Sequence, residues 1–274
     1  MTNFPIKKFL AKPGEKVDLS KIDPASISFQ NGQSRKDVKI RLKELNKELS
    51  ELQQTIWAQA EHRVLVVLQA MDAGGKDGSI KKVFTGLNPA GVRVESFKKP
   101  SRHELEHDYL WRVHNKSPRN GEITVFNRSH YEDVLVVRVL DLVKKSVWSK
   151  RYQQIIDFER LLNSENTTVI KLFLHISKDE QKARLQDRLD VPEKNWKFKS
   201  RDLEHRAIWD EYQNAFEDAI SHTSTEFAPW YIIPANRKWY RDLVISEIMV
   251  QTLKSLKPEY PVAEEDTSKI IIPD

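Results

Sequence analysis

Val64-Leu65-Val66-Val67-Leu68-Gln69-Ala70-Met71-Asp72-Ala73-Gly74-Gly75-Lys76-Asp77-Gly78-Ser79 is the stretch from which the rest of the chain is read. Its first five residues are apolar without alternation, the pattern of a strand buried on both faces of a parallel sheet. Glycines follow, and then a segment, 76–85, that reads as a helix. Strand, glycines, lysine and helix in this order form a phosphate loop. Backbone amides turn inward around phosphate oxygens, the helix N-terminus adds partial positive charge, and Lys76 adds a full one. The candidate phosphate-binding residues are Ala73, Gly74, Gly75, Lys76, Asp77 and Gly78. The pattern G-x-x-x-x-G-K-[ST] is met only in part, because Ala70 stands at the first glycine and Asp77 where a magnesium-binding hydroxyl belongs. A loop without that hydroxyl needs another oxygen for its metal, and Asp72 offers a carboxylate. The competing reading is a strand-to-helix turn with an incidental lysine.

Outward from this stretch, strands are expected at 92–97, 122–126, 169–176 and 230–233. Helices are expected at 102–116, 131–140, 149–162, 179–189, 203–220 and 236–256. Strands alternating with helices predict a three-layer α/β/α, P-loop kinase-like fold with a parallel five-stranded sheet. Upstream, Leu42, Leu45, Leu49, Leu52 and Ile56 recur in alternating steps of three and four, one stripe of a long helix. That stripe docks either on a second copy as a short coiled coil or on the chain's own core. The first thirty or so residues, with Pro5, Pro13, Gly14 and Pro24, read as a surface arm. The expected organisation is an arm and helical extension at 1–60, a P-loop domain at 61–257 with a lid at about 180–202, and a tail at 258–274.

With 274 residues, 39% of them hydrophobic and 31% charged, the chain has the material for one packed core with appendages. It contains no cysteine, which excludes disulfides, thiolate zinc sites and a cysteine nucleophile. No apolar run approaches the roughly 18 residues of a membrane span, and the start has no secretory character, so a soluble, cytoplasmic protein without membrane partners is expected. A net charge of +5 favours polyanionic partners without choosing among them.

A second constellation follows the strand at 122–126: Asn127-Arg128-Ser129-His130-Tyr131-Glu132-Asp133. The end of a strand beside a phosphate loop often presents an acid to magnesium, but Asn127 holds that position here. The acid is displaced to Glu132 or Asp133, and a short helical turn could bring Asp133 toward Asp72. Arg128 would face the same cleft. The alternative is a capped helix start. Arg184 and Arg188 are four apart on one helix face, with Lys194, Lys197, Lys199 and Arg201 after them; beside a phosphate loop this suits a lid closing over phosphates, the alternative being a solvated basic face. Arg93, Lys98, Lys99 and Arg102 form another basic group near a strand end. His103-Glu104-Leu105-Glu106-His107 matches the zinc-protease pattern, yet Leu110 and Val113 stand where the extended motif requires glycine and histidine. It is read as a polar, solvent-facing helix. Trp209, Tyr212 and Phe216, at helical spacing, are read as core.

Taken together, Asp72-Ala73-Gly74-Gly75-Lys76-Asp77-Gly78, Leu87-Asn88-Pro89 and Asn127-Arg128-Ser129-His130-Tyr131-Glu132-Asp133-Val134 resemble the family-2 polyphosphate kinases over roughly 60–256. The resemblance implies transfer of a terminal phosphoryl group from inorganic polyphosphate to AMP or ADP, with Mg²⁺, or Mn²⁺ in its place. It implies that Asp72 and Asp133 bind the metal, that Lys76 is the loop lysine and that Arg128 binds phosphate. Arg188 is the lid residue expected to work in catalysis, Arg184 a phosphate contact, and Asn127 and Glu132 belong to the acceptor site. Asn127, replacing the aspartate of the diphosphate-using subgroup, makes the chain look like the subgroup that uses both acceptors. A homo-oligomer, dimer or tetramer, is implied, with no nucleic-acid partner. The alternatives are an ATP-dependent nucleotide kinase and a nucleic-acid-binding P-loop NTPase.

Overall fold

A computed structural model describes residues 4–27, 34–265 and 270–273; the remaining parts of the expected arm and tail lie outside the described residues. In chain order the strands are β1 Leu10–Ala11, β2 Arg63–Ala70, β3 Val92–Ser96, β4 Ile123–Asn127, β5 Thr167–His175 and β6 Trp230–Pro234. The helices are α1 Arg35–Gln59, α2 Lys76–Val83, α3 Arg102–Leu105, α4 Trp111–His114, α5 Val136–Val139, α6 Lys145–Ser164, α7 Lys178–Asp190, α8 Arg201–Ala207, α9 Trp209–Thr223 and α10 Lys238–Ser255. The sheet runs β1-β6-β5-β2-β4-β3. Val64 to Leu68 are fully buried between β4 and β5, which is why this run can be apolar on both faces. Each such side chain contributes about 1.5–3 kcal/mol by leaving water. The chain steps from β2 out to β3, returns to β4, and then crosses to β5 on the other side of β2. The loops after β2 and β4 therefore open at a switch in strand order, where α/β sheets take ligands.

The sheet has six strands rather than the five expected. The additional one is β1, two residues of the N-terminal arm paired antiparallel with β6 through Leu10↔Tyr231 and Ala11↔Trp230. Without it the edge of β6 would be open, so the arm covers backbone groups that need partners. Phe9, Ala11, Val17 and Leu19 of the arm are buried. The stripe on α1 docks on the chain's own core: Leu45, Leu49 and Ile56 are fully buried, and α1 packs along α10.

Three expected helices are broken. The segment 102–116 divides into α3 and α4 because the Asp108 side chain accepts from the backbone N–H groups of Leu110 and Trp111 and starts the chain anew. The HExxH residues therefore do not lie on one helix, since α3 ends at Leu105 and His107 instead stacks on Trp111 at 4.2 Å. Residues 131–140 form a 3₁₀ turn, His130–Asp133, and the short α5; the β-branched run around Val134, Val136 and Val137 disfavours a continuous helix. Residues 203–220 break at Ile208 between α8 and α9. Trp209, Tyr212 and Phe216 are buried as expected. Among the described residues no helix is long and apolar enough to cross a membrane.

Candidate active site

The phosphate loop leaves the sheet at Ala70 and enters α2 at Lys76 through a tight turn. Ala73 (φ 59°) and Gly75 (φ 102°) are left-handed. Glycine is required at 74 by close approach, because a Cβ there would lie 2.4 Å from Ala70 Cβ. At Gly75 a Cβ would lie 2.1 Å from Arg241 Nη1 of α10, in addition to the strain of its φ. Arg241 is buried and bound through Nε and Nη2 to Asp242 Oδ1. Lys76 Nζ donates to the Ala70 carbonyl oxygen at 3.0 Å, folding back over its own loop. Burial and the nearby Arg128 guanidinium lower its pKa to about 8.

Register carries the second constellation to the same edge. Leu68 pairs with Asn127, and Arg128 N–H donates to the Leu68 carbonyl at 3.2 Å before the chain turns away at φ 65°. That left-handed backbone aims Arg128 across the loop: Nη2 meets Asp72 Oδ1 at 2.8 Å and Nη1 meets Glu132 Oε2 at 3.2 Å. Asn127 Nδ2 donates to Asp77 Oδ1 at 2.6 Å, so the residue replacing the strand-end acid holds the residue replacing the loop hydroxyl. Ser129 caps the 3₁₀ turn by accepting from Tyr131 N–H. The capped turn thus follows directly on the residue whose ion pairs reach Asp72 and Glu132.

Asp72 lies beside three cationic or donor groups, Arg128, Lys76 and His205. Burial opposes its ionisation, but the His205 hydrogen bond and the Arg128 charge prevail and hold its pKa well below the usual carboxylate range. Asp133 is held elsewhere. Arg151 Nη1 of α6 donates to Asp133 Oδ1 at 2.9 Å and to its carbonyl at 3.0 Å. Burial raises the Asp133 pKa to about 6, with Arg151 opposing and neighbouring Glu132 reinforcing the rise. Arg128 thus joins Asp72 to Glu132, while Asp133 faces a different arginine.

Below the turn, Lys171 Nζ donates to Glu159 Oε2 (2.6 Å), to Tyr131 Oη (3.0 Å) and to the Thr223 carbonyl (2.7 Å). Lys171, Glu159, His130 and Tyr131 are completely buried. This network clamps the turn that carries Glu132 and Asp133, and removing one ionic partner would leave the other uncompensated.

The two arginines of the expected lid differ. Arg184 is buried beneath the loop, and all its N–H donors serve protein acceptors: Glu180, the Ala73 and Gly74 carbonyls, and the Ala235 and Asn236 carbonyls. The expected direct phosphate contact from Arg184 meets a geometry in which it braces the loop from behind. Arg188 Nη1 pairs with Asp202 Oδ2 at 2.8 Å and also reaches the Lys197 carbonyl, linking α7 to α8.

Sequence reasoning missed Arg241, Arg151, His205 and the Lys171–Glu159 pair. Only Lys171 left a signal, a lone charge within the apolar strand run Val169-Ile170-Lys171-Leu172-Phe173. His205 lies 133 residues from its partner Asp72, and no local pattern connects them.

A parallel sheet with a phosphate loop after its central strand, and cationic side chains converging on that loop, defines a P-loop phosphotransferase. Residues 32–261 match the family described as Polyphosphate kinase 2 (PPK2), and the chain belongs to that family. A protein of Meiothermus ruber named AMP/ADP-polyphosphate phosphotransferase is 55% identical over 267 residues, covering 97% of this chain and 100% of that one. The ADP-polyphosphate phosphotransferase of Rhodopseudomonas palustris is 45% identical over 267 residues, covering 93% and 92%. The crystal structure of Polyphosphate Kinase 2 from Arthrobacter aurescens TC1 superposes with a TM-score of 0.92 at 39% identity, covering 96% of this chain and 94% of that one.

Proposed function

We propose that this chain transfers the terminal phosphoryl group of inorganic polyphosphate to AMP and to ADP, reversibly and with Mg²⁺ or Mn²⁺. The observation that supports this most directly is the loop itself. Lys76 stands at the N-terminus of α2, after a loop that is left-handed at Ala73 and Gly75, beside Asp72, a carboxylate held ionised, in a chain 55% identical to an AMP/ADP-polyphosphate phosphotransferase.

The donors fit a hard divalent cation, which takes one or two carboxylates plus substrate phosphates. Among the described residues no group of three or more His, Cys, Asp or Glu side chains is placed to hold a metal ion. Asp72 and Asp133 are the proposed carboxylate donors. When bound, the cation neutralises phosphate oxygens as a Lewis acid. The remaining chemistry belongs to the chain. An acceptor phosphate oxygen is already ionised near neutrality, so no general base is required and catalysis reduces to alignment and charge stabilisation. Lys76 and loop amides at the N-terminus of α2 hold the polyphosphate end, while the Gly74 N–H is kept by the Met71 carbonyl at 2.9 Å. Arg128 stabilises charge on the group in transit, Arg188 closes from the lid, and Asn127 and Glu132 border the acceptor. Arg184 acts through the loop backbone that it braces.

Incubating the protein with polyphosphate and AMP, ADP or GDP, then following the nucleotides by chromatography, tests the reading. ADP from AMP and ATP from ADP are expected. Transfer only when ATP is supplied as donor would replace it with an ATP-dependent nucleotide kinase. A homo-oligomer, dimer or tetramer, is part of the proposal, and light scattering on the purified protein measures it.

A further inference from the structure

Residues from the segment after β5 converge on a single residue of the phosphate loop. Gln181 Nε2 on α7 donates to the Asp72 carbonyl oxygen at 3.0 Å. His205 Nδ1 on α8 lies 2.6 Å from Asp72 Oδ2. Arg206 Nη1 ties the two helices together, donating to Gln181 Oε1 at 3.1 Å and to the Lys178 carbonyl at 2.6 Å. The tautomer of His205 follows from its other neighbour. Arg201 Nε, which can only donate, points at His205 Nε2 at 3.2 Å, so Nε2 accepts and Nδ1 carries the proton given to Asp72. The buried ring is held against Tyr212 at 5.3 Å between centroids. With Arg128 on Oδ1 and His205 on Oδ2, the plane of the Asp72 carboxylate is fixed from both sides.

We propose that His205 is a positioning residue: it orients the Asp72 carboxylate for the divalent cation and makes cation binding at the loop depend on the docking of α8. The proposal rests on the reading of Asp72 as a cation donor. It goes beyond that reading by placing part of the cation affinity in a helix remote in sequence. Partners of metal-binding side chains typically account for about 10- to 100-fold in metal affinity. The dependence is specific to one ring nitrogen. An asparagine amide nitrogen falls near the Nδ1 position and keeps the donor, whereas a glutamine amide matches the Nε2 position and does not.

The test uses the full chain with Mn²⁺ as probe, its binding in the presence of ADP followed by electron paramagnetic resonance without turnover. Amide hydrogen exchange over 191–207 is measured on the same samples. His205→Ala is expected to weaken Mn²⁺ binding about tenfold and to speed exchange in α8. His205→Asn is expected to recover most of the affinity and His205→Gln to behave like His205→Ala. Unchanged Mn²⁺ affinity in His205→Ala, or equal losses in the Asn and Gln variants, overturns the proposal. If His205→Ala does not fold, the Asn and Gln pair decides. Asp72→Asn run in parallel separates the two levels. Retained Mn²⁺ binding there removes Asp72 as the donor, whereas its loss there combined with retention in His205→Ala removes only the role of His205.

Discussion

Asp72 and Asp133 follow the ends of two neighbouring strands, β2 and β4, and are both largely shielded, with side chains 12% and 23% exposed, yet their pKa values are pushed in opposite directions. Asp72 is held far on the ionised side, while Asp133 is raised to about 6. Burial disfavours the charged form in both. The difference lies in company: Asp72 has Arg128, Lys76 and His205 around it, whereas Asp133 has Arg151 close by and Glu132 against it. Burial alone therefore says little about which acid is ready to meet a cation; the count and placement of positive partners decides.

The largest effect should come from breaking the Asp72 side. Asp72→Asn and Lys76→Ala are each expected to lower kcat for ADP with polyphosphate by about 10²- to 10³-fold or more, with circular dichroism unchanged. Near-normal turnover in either variant would take that residue out of the site.

Asp133→Asn should separate function from stability. In the folded protein Asp133 has a pKa above its reference of 3.8, so the folded state binds the extra proton between pH 3.8 and about 6 and loses stability as pH rises through that window. The asparagine variant, which keeps an acceptor for Arg151, should be more stable than the parent at pH 7.5, by an amount on the order of 1–3 kcal/mol. The gain should vanish below about pH 3.8, and turnover should fall. Asp72 has the opposite sign. Its depressed pKa contributes stability above 3.8 that is lost as pH falls through the folded value, so Asp72→Asn should be destabilised at neutrality and less so in acid. Urea denaturation across pH checks both. Parallel pH slopes in the two variants would erase the contrast.

A smaller effect is expected from Lys76. With its pKa near 8, kcat/KM of the free enzyme should decline above about pH 8, approaching tenfold per unit. A flat profile to pH 10 would mean that the lysine stays charged in use. The smallest change is Arg151→Gln, which removes the cation bonded to Asp133. It should move the upper end of that residue's pH-dependent destabilisation, near pH 6, upward by roughly one unit, and no movement would show that Arg151 is not what tempers it.

Much of the fold was legible because burial writes itself into local pattern. The apolar run of β2, the glycines and the lysine fixed a phosphate loop in a parallel sheet, and the five strands of that parallel sheet lie close to where alternation and run length placed them. The sixth strand was not legible, since two residues pairing with an open edge carry no periodicity. The broken helices were missed for a related reason: an Asp108 side chain that restarts the chain, or a β-branched run, is a local interruption inside an otherwise helical pattern. Of the site, the loop and the Asn127-to-Asp133 run could be named from sequence. Its braces Arg241, Lys171 and Glu159 could not be assigned to it, and Arg184 was assigned to it as a phosphate contact, whereas it holds the loop carbonyls of Ala73 and Gly74.

What the sequence determined by itself is the chemistry on offer: an anion cradle, one ammonium group, several carboxylates and arginines, and the order of strands and helices that presents them. Only the tertiary structure decided which acid has its pKa lowered and which has it raised. Asp72 takes its lowered pKa from His205 and Arg128, 133 and 56 residues away, and Asp133 takes its raised one from burial, which Arg151 only partly offsets. Electrostatic energy depends on distance in space, and distance in space is what folding, not residue order, supplies.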